Sequence, residues 1–166
     1  MRSVALIHQN LYQFENLSCI ELNSFVNELY KQVWQVYEQH TKPFQLHNHI
    51  PFIEVDIDTA VPLGLILNEL LNNSFKYAGI HDENSIHITL HELENGEAIG
   101  KKFELVYVDS GPGITDGKTV KERKSLGLRL IADLSKQIGG NMNYTREQGS
   151  KFIIQFLDKE ARKNRE

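Results

Sequence analysis

The sequence predicts an α/β domain: a two-layer sandwich in which a mixed, mostly antiparallel sheet is covered on one face by about three helices. Three observations point there. The chain has 166 residues, 40% hydrophobic composition and four prolines, enough for one domain with a sizeable core. Residues 63–77 read as one long helix, because Leu63, Leu67, Leu70 and Ser74 follow the i, i+4, i+7, i+11 spacing of a buried stripe. On both sides of that helix, stretches with strand alternation and stretches with helical spacing follow one another in an order that suits a single layered sheet.

Taken in order, residues 2–14 carry Val4, Leu6, Ile7, Leu11 and Tyr12 at roughly helical spacing, ending near Glu15, Asn16, Leu17 and Ser18. Asn23 or Ser24 is placed to cap a helix reaching about Gln39, with Phe25, Leu29, Val33 and Val36 as its apolar stripe. Residues 45–49 and 52–56 alternate in the strand manner, split by Pro51. Asp58 or Thr59 is expected to cap the long helix, with Pro62 in a first turn that needs no internal N–H bond. Ile86, Ile88 and Leu90 form the inward face of the next strand, and either Phe103, Leu105 and Tyr107 or Val106 and Val108 serve the one after it, across a turn region at 94–96. Ser125 is placed to cap a helix from Leu126 to about Ile138, which Gly139 and Gly140 end. Strands over 141–146 and 151–157, joined by a turn at 148–150, close the domain, and the charged residues at the end read as a frayed tail.

The chemistry-bearing residues begin on the long helix. Glu69, Asn73, Lys76 and Tyr77 fall at i, i+4, i+7 and i+8, so a carboxylate, an amide, an ammonium and a phenol share a face. Asn is a poor helix former, yet Asn68, Asn72 and Asn73 crowd into this stretch, which suggests selection for something other than propensity. An amide oxygen is a neutral, hard ligand suited to a Mg²⁺ ion that takes its other ligands from phosphate and water. A Glu one turn earlier can orient or deprotonate a nucleophile, and a Lys can neutralise phosphate charge. The segment Asp109-Ser110-Gly111-Pro112-Gly113 follows a strand directly; its glycines allow a sharp turn against a planar ligand, and its carboxylate can accept from an exocyclic amine. Residues 114–124 form a locally positive loop with Lys118, Lys121, Arg123 and Lys124, suited to a lid over phosphates. Gly127, near the start of the next helix, leaves backbone N–H groups open to a phosphate.

Glu69-Leu-Leu-Asn-Asn73-Ser-Phe-Lys76-Tyr77 resembles the N box of the ATP-binding domains of sensor histidine kinases, which share the Bergerat fold with gyrase, a class of heat-shock chaperones and the MutL mismatch-repair proteins. The Asp109 to Gly113 segment is similar to the G1 box, and Ser125-Leu126-Gly127-Leu128 to the G2 box, although Arg123 and Ser125 stand where many members carry further glycines. Gly149, Ser150 and Phe152 match a Gly-Thr/Ser-x-Phe element near the end of the family's domain. The resemblance implies Mg²⁺ held by Asn73, a proton accepted or oriented by Glu69, phosphate or sugar contacts from Lys76 and Tyr77, and adenine read by Asp109 in a pocket shaped by Gly111 and Gly113. It also puts Gly127, Leu128 and Ser150 at the nucleotide.

In one subgroup, the second dimerisation helix ends in a segment similar to residues 5–12. The implied organisation is the end of that helix over 1–16, the catalytic domain over 17–158 and a charged tail over 159–166. The implied activity is transfer of the γ-phosphoryl group of ATP to a histidine on a dimerisation and phosphoacceptor domain, with a response regulator downstream and a homodimer as the full-length assembly. The acceptor lies on the first helix of the hairpin, so His8 is not expected to be it. Rival readings are a serine kinase of the anti-sigma-factor type and a nucleotide-binding docking module without transfer.

Composition narrows the rest. A formal net charge of −4 gives no overall basic field for nucleic acid. No apolar run reaches membrane-spanning length, and residues 1–8 are too soon interrupted for a signal peptide. Cys19 stands alone, which suits a reducing, cytoplasmic setting and a structural role. His47 with His49, and His87 with His91, each lie on one side of a strand; without an identifiable third ligand they read as solvent-facing residues.

Overall fold

The computed structural model describes residues 19–40, 42, 44–77, 84–113 and 125–163. The first segment expected to be helical (2–14) and the positive loop (114–124) lie outside the described residues. The elements run β1 (Cys19–Glu21), α1 (Leu22–Tyr37), β2 (Phe44–His49), β3 (Glu54–Asp56), α2 (Ile57–Tyr77), β4 (Asn84–Leu93), β5 (Lys102–Asp109), α3 (Leu126–Gln137), β6 (Asn141–Arg146), β7 (Ser150–Leu157) and α4 (Lys159–Lys163).

Five strands form one sheet in the order β2-β4-β5-β7-β6, and β1 pairs with β3 in a separate two-stranded ribbon. Only β2 and β4 run parallel among these pairs; the others are antiparallel. This is the expected mixed, mostly antiparallel sheet, with α1, α2 and α3 packed over its apolar face. Strand alternation sets that face: Ile86, Ile88 and Leu90 of β4 are buried, as are Phe103, Leu105 and Tyr107 of β5. The Val106 and Val108 alternative for β5 is therefore the outer face.

Helix α2 lies between α1 and α3, and its stripe Leu63, Leu67, Leu70 and Ser74 is buried as its spacing requires. Phe75 fixes α1 and β2 to it, with ring centroids 5.9, 5.4, 5.5 and 5.0 Å from Tyr30, Trp34, Tyr37 and Phe44. Such aromatic pairs are worth about 0.5–1.5 kcal/mol each beyond the area they bury.

Several local expectations are corrected. The carboxylate of Glu21, not Asn23 or Ser24, caps α1 by accepting from the Asn23 and Ser24 amides at 2.9 and 2.8 Å. Val36 is exposed, and the buried stripe runs instead through Leu22, Phe25, Val26, Leu29 and Val33. Helix α2 begins earlier than expected and is capped by Asp56, whose carboxylate accepts from the Thr59 amide and hydroxyl at 3.2 and 2.9 Å. Pro62 consequently sits in the second turn, where its missing N–H gives nothing to the Asp58 carbonyl. Cys19 is exposed. The tail does not fray at once: α4 is held by Arg162, which donates to the Leu157 carbonyl at 2.8 Å and to the Thr59 hydroxyl at 2.9 Å.

His49, His87 and His91 are exposed as read and His47 is half-buried, and the third ligand that the sequence did not identify for the first pair is His87. Parallel pairing sets His47 directly across from His87, and one ring nitrogen each of His47, His49 and His87 lies within 4.8 Å of the others. Burial, then charge on His47 and His49, holds His87 below the usual imidazole value. No described helix is long and apolar enough to cross a membrane.

Candidate nucleotide-binding site

A cleft of about 550 Å³ opens beside α2, between it and the ends of β5 and β7, with the start of α3 along its rim. From α2 come Glu69, Asn73, Lys76 and Tyr77, the polar face read from the sequence. From the turn after β5 come Asp109, Gly111 and Gly113. Gly127 and Leu128 of α3 and Ser150 of β7 complete the ten positions singled out in the sequence, and all ten line this one cleft. Asn73 and Asp109 thus share one cavity.

The floor is a hydrogen-bonded unit built around Asp109, which is 7% exposed at the end of β5. Its Oδ1 accepts from the Gly111 amide at 3.0 Å and the Ser150 amide at 3.3 Å, and its Oδ2 accepts from the Ser74 hydroxyl at 2.6 Å. Because Ser74 donates to the carboxylate, its oxygen accepts a hydrogen bond from the Tyr107 hydroxyl at 2.7 Å. Complete burial, then the nearby Asp109 charge, keeps the Tyr107 phenol well above its ordinary pKa, so it stays a donor. A carboxylate offers about four acceptor positions. The three bonds described leave one for a donor entering the cleft.

The sequence placed Ser74 only on the buried stripe and Tyr107 only on a strand face; neither was read as part of the site. Ser74 was findable: it is the one polar member of an otherwise leucine stripe, and a buried hydroxyl needs a partner. Pro112, Ser125, Leu70 and Phe152 also line the cleft.

The turn that delivers Asp109 is fixed to β4 by the Ser110 amide, which donates to the Ser85 carbonyl at 3.1 Å, and by the Ser85 amide, which donates to the Ser110 hydroxyl at 2.9 Å. Gly113 closes it at φ +68°, a conformation that L side chains rarely adopt. At the rim, Ser125 caps α3 by accepting from the Leu128 amide at 3.4 Å, so the Leu126 and Gly127 amides precede the first intrahelical bond. A Cβ at Gly127 would lie 3.0 Å from Glu69 Oε2, which puts the carboxylate against the start of α3.

Two of the three asparagines on α2 are structural. Asn68 is buried, and Asn72 accepts from the Tyr37 hydroxyl at 2.9 Å while donating to the Asn68 carbonyl at 2.7 Å. Only Asn73 faces the cleft.

A mixed sheet under three helices, with a cleft between a central helix and a strand-end aspartate, is the architecture of an ATPase domain. Residues 58–161 match the family described as histidine kinase-, DNA gyrase B-, and HSP90-like ATPase, and the chain belongs to that family. Blue-light-activated histidine kinase 2 of Erythrobacter litoralis is 24% identical over 94 residues, 57% of this chain and 26% of that protein. Among solved structures, the histidine kinase domain of an Erythrobacter litoralis blue-light-activated histidine kinase superposes with a TM-score of 0.77 at 16% identity, covering 99% of this chain and 76% of that one. A longer structure of that kinase gives 0.75 at 19% identity, with 93% of this chain and 52% of that chain covered. A mycobacterial sensor histidine kinase gives 0.63 at 18% identity over 86% of this chain and 97% of the other. The chain therefore spans about a quarter of the curated relative's length and about half of the longer solved kinase.

Proposed function

We propose that this chain binds ATP with Mg²⁺ and acts as the catalytic domain of a sensor histidine kinase, passing the γ-phosphoryl group to a histidine on a dimerisation and phosphoacceptor domain. The observation that carries the reading is one cleft with Glu69 and Asn73, a helical turn apart, on one wall and Asp109 on the other. Asp109, held by three donors with one acceptor position left, takes the exocyclic amine of adenine. Lys76 and Tyr77, exposed at the end of α2, meet phosphate or sugar, and the free amides at the start of α3 cradle phosphate oxygens.

The donor set fits Mg²⁺: Asn73 offers a half-buried neutral amide oxygen, and among the described residues no soft sulfur ligand lines the cleft. When bound, the ion neutralises phosphate charge and orients the triphosphate. Glu69 orients the attacking imidazole and takes its proton, while the cleft walls fix the nucleotide for in-line attack. Residues 1–16 lie outside the described residues and are assigned to the end of the dimerisation segment by the resemblance of residues 5–12 alone, and the full-length protein works in the cytoplasm as a homodimer serving a response regulator.

The test mixes the chain with labelled ATP and Mg²⁺, with and without a separately supplied dimerisation hairpin. Acid-labile label on the hairpin is expected; acid-stable label on serine would favour the anti-sigma-factor type of kinase instead. Calorimetry on Asp109→Asn should show nucleotide binding lost, and on Asn73→Ala its Mg²⁺ dependence lost. Unchanged titrations for both would overturn the site.

A further inference from the structure

Two strands and one register place three imidazoles together on the sheet face turned away from the helices. His47 and His49 are two residues apart on β2, so both project outward, while Leu46 packs against the core and Asn48 between them donates to the Asn23 carbonyl and Asn27 Oδ1 of α1. His87 projects from β4 on the same side, directly opposite His47, with Thr89 opposite His49. None of the three lines the nucleotide cleft. We infer that His47, His49 and His87 form a binding site for a divalent transition metal of the Zn²⁺ type, with the fourth position open to water.

The geometry carries this. One ring nitrogen from each of the three side chains lies within 4.8 Å of the other two. A tetrahedral zinc with Zn–N bonds of about 2.0–2.1 Å needs its donor nitrogens roughly 3.3 Å apart. The gap closes by side-chain rotation alone, because His49 and His87 are exposed and each ring turns about two bonds. The rings of His47 and His87 now stack, with centroids 4.3 Å apart and planes 9° from parallel, and ligation would swing their nitrogens toward a common point. The backbone does not have to move: β4 is an inner strand, and the edge strand β2 that carries His47 and His49 is paired with it from Phe44 to His49, so the register holds the three Cα positions beforehand. Cross-strand neighbours that carry like charge when protonated weaken a sheet, and a shared cation turns that cost into a gain. Imidazole is a donor for Zn²⁺, Cu²⁺ or Ni²⁺ and not for Mg²⁺, so this site and the nucleotide cleft would not compete for one ion.

The experiment titrates the whole 166-residue chain, without nucleotide, with Zn²⁺ against a chromophoric chelator and with Co²⁺ followed by its visible absorption. One equivalent is expected, with Co²⁺ bands of tetrahedral intensity. His87→Ala and His49→Gln should each weaken binding by more than the roughly 10–100-fold that loss of a supporting residue causes. Thermal melts of the metal-free variants at the parent's temperature exclude unfolding as the cause, and either variant alone suffices. His91→Ala, on the same strand and face but outside the cluster, should bind like the parent. Absence of stoichiometric binding, binding that survives both cluster substitutions, or equal loss in His91→Ala would overturn the site.

Discussion

Ser74→Ala tests whether the cleft floor is one hydrogen-bonded unit. The hydroxyl stands between the Tyr107 phenol at 2.7 Å and the Asp109 carboxylate at 2.6 Å, and Tyr107 is fully buried. Its removal leaves the phenol O–H without an acceptor, and a buried unsatisfied donor costs about 1–3 kcal/mol. Asp109 loses a charge-assisted bond as well, but it borders the cleft and water can replace part of that. A total of about 2–3 kcal/mol follows, and at about 2–4 °C per kcal/mol for a domain of this size the melting temperature should fall by roughly 4–12 °C. Tyr107→Phe alone should cost about 0.5–1.5 kcal/mol, because the serine keeps its bond to Asp109. The double variant has no orphan donor, so its cost should fall short of the sum by at least about 1 kcal/mol. Urea unfolding of the parent, both single variants and the double variant reads all three values. Additive costs, or a Ser74→Ala effect below about 0.5 kcal/mol, would refute the network. The same serine holds the proposed adenine acceptor, so calorimetry should also show ATP binding weakened about tenfold in Ser74→Ala, a loss of about 1.4 kcal/mol.

Two further outcomes follow from the packing. Gly127→Ala adds a Cβ 3.0 Å from Glu69 Oε2, so the carboxylate must shift, while a helical Gly→Ala exchange gains up to about 1 kcal/mol. The variant should melt no lower than the parent yet transfer phosphate to a supplied hairpin roughly tenfold more slowly; an unchanged rate would detach Glu69 from the reaction. Glu21 is the cap of α1: partial burial raises its pKa, but the bonds from Ser24 and Asn23 outweigh this and hold it below the usual 4.5. A depressed folded pKa means that its stabilisation is present above 4.5 and lost as pH falls through the folded value. Glu21→Ala should therefore cost about 0.5–1 kcal/mol at neutral pH, the lower part of the cap range for a partly hydrated group, and the difference should vanish in acid. A difference independent of pH would remove the carboxylate from the cap.

What could be read from the sequence was set by periodicity. Glu69, Asn73, Lys76 and Tyr77 share a helix face whatever packs against it, and Asp109 ends a strand that alternation alone defines, so both walls of the cleft were visible in advance. Asparagine count was a poorer guide than asparagine position: Asn72 is occupied by Tyr37, from a helix 35 residues away in sequence. No spacing rule carries that contact. Ser125 caps α3 as expected, but the caps of α1 and α2 were misplaced by two or three residues for a related reason. Asp56 and Glu21 are strand residues that reach forward to cap the following helix, so the strand-to-helix junction has no linker in which Ser, Thr or Asn would normally serve.

The histidine cluster marks the limit of the same reasoning. Alternation assigns His47, His49 and His87 to the outer face, because Leu46 and Ile86 must face the helices. The order of β2, α2 and β4 also suggests two parallel neighbours, since a helix crossing between strands joins parallel partners. Those two rules together bring the two strands side by side with all three histidines outward. They do not fix the register, because a slip of two residues keeps every side chain on its face while pairing His47 with Ser85 or Thr89 instead of His87. The observed register joins Phe44 to Asn84 and Leu46 to Ile86, with Phe44 packed edge-on against Phe75 of α2. The aromatic cluster under the sheet thus decides which histidines meet on top of it: a slip that set His47 across from Ser85 would set His49, and no longer His47, across from His87.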